Sequence, residues 1–244
     1  MKKSVVSLFA GIVALTIAQS INAQTIATWT FETSQPGVVT LPAAPGAGVA
    51  FTSFSPEVGA GTATALHAGA ATYSSPAGNG SARSFSANTW AVGDYFQFQV
   101  STLTFSSISI SYDQTSSSTG PGQFSLQYSI DGSTFTTFGS QYTVLVNAAP
   151  NAWAAATPIS TTSFSYNLSS VSALNNAANV FFRVVDTGTL SASQANGGST
   201  APAATGTDRL DNFSVFVTPV PEPSTIALAA VSGLACLIAI RRRR

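Results

Sequence analysis

The chain predicts an all-β body, a two-sheet antiparallel sandwich of the jelly-roll or concanavalin-like kind, with an immunoglobulin-like sandwich as the second choice. Three observations carry this. Short stretches rich in Val, Ile, Phe, Tyr and Thr recur between Gly, Pro, Ser and Asn, no long window holds a helical period, and several stretches alternate apolar with polar residues. Each such strand has one dry face and one wet face, and two sheets packed on their dry faces bury both.

In order, Ile26–Phe31 is a first strand, and residues 32–64 form a loose Pro/Gly/Ala region with one strand at Val49–Phe54. Ser81–Ser86 is a further strand. In Asp94–Val100 the residues Phe96, Phe98 and Val100 share one face, and Gln97 and Gln99 the other. Leu103–Tyr112 changes parity, since Leu103 and Phe105 are odd while Ile108, Ile110 and Tyr112 are even, so a bulge or bend is expected at Ser106-Ser107. Gln123–Ile130 places Phe124, Leu126, Tyr128 and Ile130 together, ends at Asp131-Gly132, a hairpin signal, and returns over Thr134–Phe138. Strands follow at Tyr142–Val146, Pro158–Leu168, Asn179–Asp186 and Arg209–Val217. One or two helical turns at Ser169–Asn176 let Val171 and Leu174 plug an end of the sandwich, and Thr187–Thr207, rich in Gly, Ser, Ala and Thr, reads as a mobile loop.

The ends of the chain are different in kind. Met1-Lys2-Lys3 followed by an apolar Val5–Ile17 has the form of a secretory signal peptide over residues 1–23, with cleavage after Ala23 the first choice and the A-x-S-like Ala18-Gln19-Ser20 a second site. At the other end, Pro221-Glu222-Pro223 precedes an uncharged run from Ile226 to Ile240 and then Arg241, Arg242, Arg243 and Arg244. A helix of that run reaches about 22 Å against a hydrocarbon core of about 30 Å, short for a permanent span and suited to a temporary single transmembrane anchor. The four arginines orient it with the C-terminus cytoplasmic, leaving residues 24–218 outside.

Residues 219–244 resemble the PEP-CTERM sorting tail of exported Gram-negative proteins. The resemblance implies export across the inner membrane, transient anchoring there, cutting near Pro221-Glu222-Pro223 by an exosortase, and release to the cell surface or extracellular matrix. Tyr128-Ser-Ile-Asp-Gly-Ser-Thr-Phe135 and Arg209-Leu-Asp-Asn-Phe213 are similar to phrases of β-sandwich ectodomains in PEP-CTERM proteins, which supports the fold and transfers no catalytic residue.

Six of the nine basic residues lie in the two targeting segments, so the body keeps Arg83, Arg183 and Arg209 against eight acids, a formal charge of −5. Such a surface cannot neutralise a phosphate backbone, which excludes nucleic acid as a partner. The only cysteine, Cys236, lies in the tail, and the body holds together without disulfides.

His67 is the only histidine, too few for a zinc site of the usual kind, and no G-x-S-x-G pattern accompanies it. It reads as a surface or half-buried residue of a loop or edge strand. The acids have local duties: Asp131 in a turn, Asp94 at a strand start, Glu57 in a loop, and Asp186, Asp208 and Asp211 in ion pairs with Arg183 and Arg209 at a sheet end. A calcium site at Asp208, Asp211 or Asn212 lacks a calcium-loop spacing. No catalytic residue, metal or cofactor is called for. Trp29 belongs to the core, whereas Trp90 and Trp153, in polar turn-like surroundings, are the candidate glycan contacts, with Tyr73 and Tyr142 weaker ones. The reading is a non-catalytic surface or matrix protein of exopolysaccharide or biofilm, processed by exosortase and weakly glycan-binding. The alternative is an extracellular glycan-processing enzyme with a carboxylate pair on the sandwich face.

Overall fold

The computed structural model describes residues 22–34, 39–41, 49–50, 53–220 and 241. Ala23–Thr218 forms one compact unit; the second unit comprises the chain ends, of which only Asn22, Pro219, Val220 and Arg241 are described. Residues 1–21 of the expected signal peptide, Pro221, Glu222, Pro223, the apolar run to Ile240 and Arg242 to Arg244 thus lie outside the described residues; Arg241 is exposed. Among the described residues no helix is long and apolar enough to cross a membrane.

The body is built from strands β1 (Gln24–Trp29), β2 (Val39–Leu41), β3 (Val49–Ala50), β4 (Val58–Gly59), β5 (Thr62–His67), β6 (Ala71–Ser74) and β7 (Phe85–Asn88). Then come β8 (Tyr95–Val100), β9 (Phe105–Ser116), β10 (Gln123–Ser129), β11 (Thr136–Thr143), β12 (Ser163–Asn167), β13 (Val180–Asp186) and β14 (Thr207–Pro219). Two short 3-10 turns, Ser160–Thr162 and Ser172–Leu174, and one α-helix, α1 (Ala192–Ala195), complete it. The first sheet runs β12-β9-β14-β7-β6-β2, with β1 on the second half of β14 and β4 on β1; the second runs β11-β10-β13-β8-β5-β3. All-β with two antiparallel sheets is therefore what the chain forms; a jelly-roll order is not what this strand order establishes.

The sheets meet on an aromatic core. Phe98 of β8 and Phe213 of β14 stack at 3.7 Å between ring centroids, with Trp29 edge-on to Phe98 at 5.1 Å, and Phe85 of the first sheet lies 4.6 Å from Phe96 of the second. All five rings are fully buried, so this stack holds the sheets face to face by burial and ring geometry alone.

The alternation of β8 is as expected, with Phe96, Phe98 and Val100 inward. In β9, Ile108, Ile110 and Tyr112 are buried, and the parity breaks at Ser107, whose φ of +55° is left-handed. Phe105, before the break, packs half-buried against the core, while Leu103 is 49% exposed and stands outside it. The neighbouring strand β14 breaks parity in the same manner: Asp208 and Leu210 point inward before Asn212 (φ +53°), Phe213, Val215 and Val217 after it.

Other expectations needed correction. The loose region expected up to residue 64 ends instead in the strand Thr62–His67, and Ala71–Ser74 is a further strand; small Ala63, Ala65 and Ala71 point inward and carry too little hydrophobicity to signal a strand. The strand expected at Ser81–Ser86 lies at Phe85–Asn88, and that at Pro158–Leu168 begins only at Ser163, after a 3-10 turn. The hairpin forms, but on a longer loop: Asp131 accepts from the Ser133 and Thr134 amides at 2.8 Å, Gly132 takes φ +73°, and Ile130 is 51% exposed instead of facing the core. Ser172–Leu174 is helical as expected, with Leu174 buried.

The segment Thr187–Thr207 is fastened, not loose. Ser191 caps α1 in a capping box with Gln194, and Ala192 N, Ser193 N and Ala203 N donate to the carbonyls of Gly120, Ser118 and Thr119. Asn196 Nδ2 reaches Val144 O at 2.9 Å. Backbone bonds across the chain replace the hydrophobic period that the segment lacks.

Candidate functional site

Sequence alone leaves the acids as the first place to look for chemistry, and each of the eight in the body accepts hydrogen bonds from the protein. Glu57 takes the Thr30, Thr33 and Ser34 amides, and Glu32 takes Arg83 N. Asp94 holds the Ala68 and Ala91 amides at 2.7 Å, Asp113 the Asn212 amide group at 2.8 Å, and Asp186 the Gly188 amide at 3.2 Å. Asp211 accepts from Asn79 N, Ser81 Oγ and Asn212 N. Burial pushes its carboxyl up to about 7 against those donors, and pushes Asp186 up to about 7 as well.

Asp208 ends an internal chain of hydrogen bonds. Tyr142 OH donates to Gln114 Oε1 at 2.7 Å, so the 2.7 Å bond between the tyrosines is donated by Tyr112 OH; Gln114 Nε2 then donates to Asp208 Oδ1 at 3.0 Å. Ser116 Oγ lies 2.7 Å from Pro121 O and 3.0 Å from Asp208 Oδ2. Ser116 has one hydrogen for these two acceptors, and a proton on Asp208 would supply the second bond. Burial pushes the Asp208 carboxyl well above the usual range, toward the neutral acid, against the bonds from Gln114 and Ser116 that favour the carboxylate. Because Tyr142 belongs to β11 and the other members to β9 and β14, the chain ties one sheet to the other.

The ion pairs expected of Arg183 and Arg209 do not form. Among the described residues the only ion-pair contact is His67 Nδ1 to Asp94 Oδ2 at 3.5 Å. Strand geometry explains this: Arg183 and Asp186, three apart, and Arg209 and Asp208, adjacent, point to opposite faces.

His67 is also not where sequence placed it. It is fully buried in β5, between β8 and β3, with Nδ1 3.3 Å from Thr89 O and its ring 4.3 Å from Trp90. Nε2 is buried without a partner, and desolvation holds the ring below its ordinary pKa. A neutral imidazole with no hydroxyl on Nε2 lacks the contact that a nucleophilic triad requires.

Of the tryptophans, Trp29 is core. Trp153 is 7% exposed and donates Nε1–H to Thr162 Oγ1 at 2.9 Å, so its ring packs inward and offers no open face to a sugar. Trp90 is half-buried, donates Nε1–H to Ala87 O at 2.8 Å and packs edge-on to Phe96 and Phe124, over one end of the sandwich. Its free edge borders a cleft of about 200 Å³ lined also by Asp186, Thr119 and Pro202. Tyr73 is buried, and Tyr142 is spent on the internal chain. A larger, open groove of about 680 Å³ lies at the end near Gln24, Gly61, Gln99 and Asn179.

Sequence reasoning gave Arg183 a structural ion pair and no place among the site residues. It lies on the outer face of the second sheet with its guanidinium 3.8 Å from the Tyr95 ring centroid and 3.5 Å from that of Phe135, which the hairpin loop lays over it. Nε donates to Gln97 Oε1 at 2.8 Å. The signal was available in the period: Arg183 alternates with Phe182 and Val184, which are apolar and therefore inward.

Comparison with known proteins bears on the two parts of the chain separately. The model of the PEP-CTERM protein-sorting motif matches residues 219–244. A search of the curated proteins gave no match. Among solved structures, the K1 cleaved adhesin domain of Lys-gingipain from Porphyromonas gingivalis W83 is similar at 12% identity and a TM-score of 0.38, covering 80% of this chain and 97% of that one. The K3 domain from the same organism gives 14% and 0.38, over 79% and 98%. The K2 domain of Lys-gingipain gives 16% and 0.34, over 80% and 99%. The chain is thus an all-β body followed by a PEP-CTERM protein-sorting motif at residues 219–244, a protein exported and sorted through exosortase.

Proposed function

We propose that the chain is a non-catalytic protein of the cell surface or extracellular matrix, whose body, residues 24–218, binds glycan weakly once exosortase has removed the tail. The observation that carries the non-catalytic reading is the employment of all eight carboxyl groups of the body in hydrogen bonds within the protein, four of them (Asp94, Asp186, Asp208 and Asp211) in the interior. A glycosidase needs two acids facing each other across an open groove. Residues 1–23 act as the signal peptide, Pro221, Glu222 and Pro223 as the recognition motif, and Arg241, Arg242, Arg243 and Arg244 as the residues that hold the precursor in the inner membrane with its C-terminus inside.

Replacing Pro221, Glu222 and Pro223 by alanine tests the sorting half: the protein should stay in the membrane fraction, whereas the native sequence is released without Arg241 to Arg244. Intact C-terminal mass on released material overturns it. For the body, a glycan array should give binding and reducing-sugar assays no turnover; turnover that is lost on changing one acid restores the glycan-processing enzyme.

A further inference from the structure

The outer face of the second sheet carries rows of side chains set by strand register. The pairings Thr137↔Gln127, Gln127↔Arg183, Arg183↔Gln97 and Gln97↔Thr64 align five residues from β11, β10, β13, β8 and β5 in one line across the sheet. At about 4.8 Å between strands the line is about 19 Å long. Beside it runs a second line, Ser129, Phe181, Gln99 and Thr62. None of the first five is buried.

Neither line contains a carboxylate. Arg183 stands at the middle of the first, held between Tyr95 and Phe135, and no acid among the described residues pairs with it. The two rings flank the guanidinium, its Nε is committed to Gln97 and a further side-chain hydrogen bond goes to Tyr95, so the remaining Nη hydrogens form the edge that a ligand can reach. Gln127 Nε2 reaches Thr137 Oγ1 at 3.4 Å, and among the described residues the Gln127 carbonyl has no protein donor and Gln97 Nε2 no protein acceptor. A cation kept planar, unpaired and half-buried amid amides and hydroxyls is complementary to a carboxylate on a polyhydroxylated chain.

We propose that this face is the glycan-binding surface and that its ligand is a polysaccharide bearing carboxylates, a uronic-acid polymer, with Arg183 on the carboxylate and Gln97, Gln127 and Thr137 on the neighbouring hydroxyls. The proposal rests on the glycan-binding reading above and narrows it from Trp90 and Trp153 to the Arg183 line. The formal −5 of the body is not spread over this face: its charged acids lie in turns and on the other sheet, and Asp186, Asp208 and Asp211 are turned inward.

Biolayer interferometry of the full chain in mild detergent, with polygalacturonate on one sensor and dextran on another, tests it. The native protein should bind polygalacturonate and be displaced by salt. Arg183→Gln should weaken binding by about tenfold or more, the loss expected for a charge-assisted bond. Gln127→Glu, which sets an acid beside the guanidinium without touching the core, should do the same, and it answers the question if Arg183→Gln fails to fold. Polygalacturonate binding unchanged in either folded variant overturns the proposal. Binding to dextran alone overturns it while leaving a glycan-binding body; binding to neither sensor overturns both. Self-association that weakens with Arg183→Gln would assign the face to a second copy and also overturn it.

Discussion

Two polar lines cross this sandwich, one inside and one outside, and they differ in whether their hydrogen bonds close. The inner line, from Tyr112 through Tyr142, Gln114, Asp208 and Ser116 to the Pro121 carbonyl, gives each of its donor atoms an acceptor inside the protein. The outer line, from Thr137 through Gln127, Arg183 and Gln97 to Thr64, stops with donors and acceptors unspent. An unsatisfied polar group costs more in the interior than at the surface, so completeness of the first line contributes to stability. Water satisfies the second line at no cost to folding, so its residues are free to be chosen for what they meet outside.

The sharpest contrast lies between residues one position apart. Ile108→Ala or Ile110→Ala should cost about 2–5 kcal/mol in chemical denaturation, while Ser109→Ala between them should change stability by less than about 0.5 kcal/mol. Phe105→Ala, before the left-handed Ser107, should cost less than either isoleucine because its ring is only half-buried. Equal losses at Phe105 and Ile110 would place the first turn of β9 inside the core and remove the parity break.

Cutting each polar line at a glutamine comes next in size. Gln114→Leu orphans Asp208 Oδ1 and Tyr142 OH in the interior and should cost about 2–4 kcal/mol. Gln127→Leu should leave stability within about 0.5 kcal/mol of the native protein, since water replaces what it loses. Similar losses from both would mean that the outer line also closes internally.

Acidity separates the lines a third time. Burial raises Asp208 well above the usual carboxylate range and Asp186 and Asp211 to about 7, so the folded body binds protons that the unfolded chain, near 3.8, has lost. Their contribution is full below about pH 4 and is lost as pH rises through the folded values, so stability falls between about pH 4 and 7, by several kcal/mol in all. His67 acts in the opposite sense, since its lowered pKa removes stability as pH drops, but it is one group against three. Asp208→Asn keeps both bonds, donating to Ser116 and accepting from Gln114, and should fold while flattening the slope. An unchanged slope would mean that Asp208 is ionised in the folded protein.

Much of this was legible in the residues. The alternation of Tyr95–Val100 fixes Phe96 and Phe98 inward, the parity of Leu103–Tyr112 locates the break to within a residue, and Asp131-Gly132 marks the hairpin. His67 was misplaced because its strand turns alanines inward, and Thr187–Thr207 was read as loose because its order comes from backbone bonds to residues 118–122. Arg183 and Asp186 share a strand yet cannot meet, a consequence of the pleat that composition at a sheet end does not convey.

By itself the sequence determined the all-β class, the core-facing residues of the long strands, and the sorting motif, because each depends on local period or on contiguous residues that act as a linear signal. Only the tertiary structure decided which residues from different strands share a line. That Thr64, Gln97, Arg183, Gln127 and Thr137 stand in one row, and that Gln114, Ser116, Tyr142 and Asp208 close one chain, follows from register and from the facing of two sheets. Register joins residues more than a hundred positions apart through hydrogen bonds between backbones that look alike at every position, so no local pattern records it.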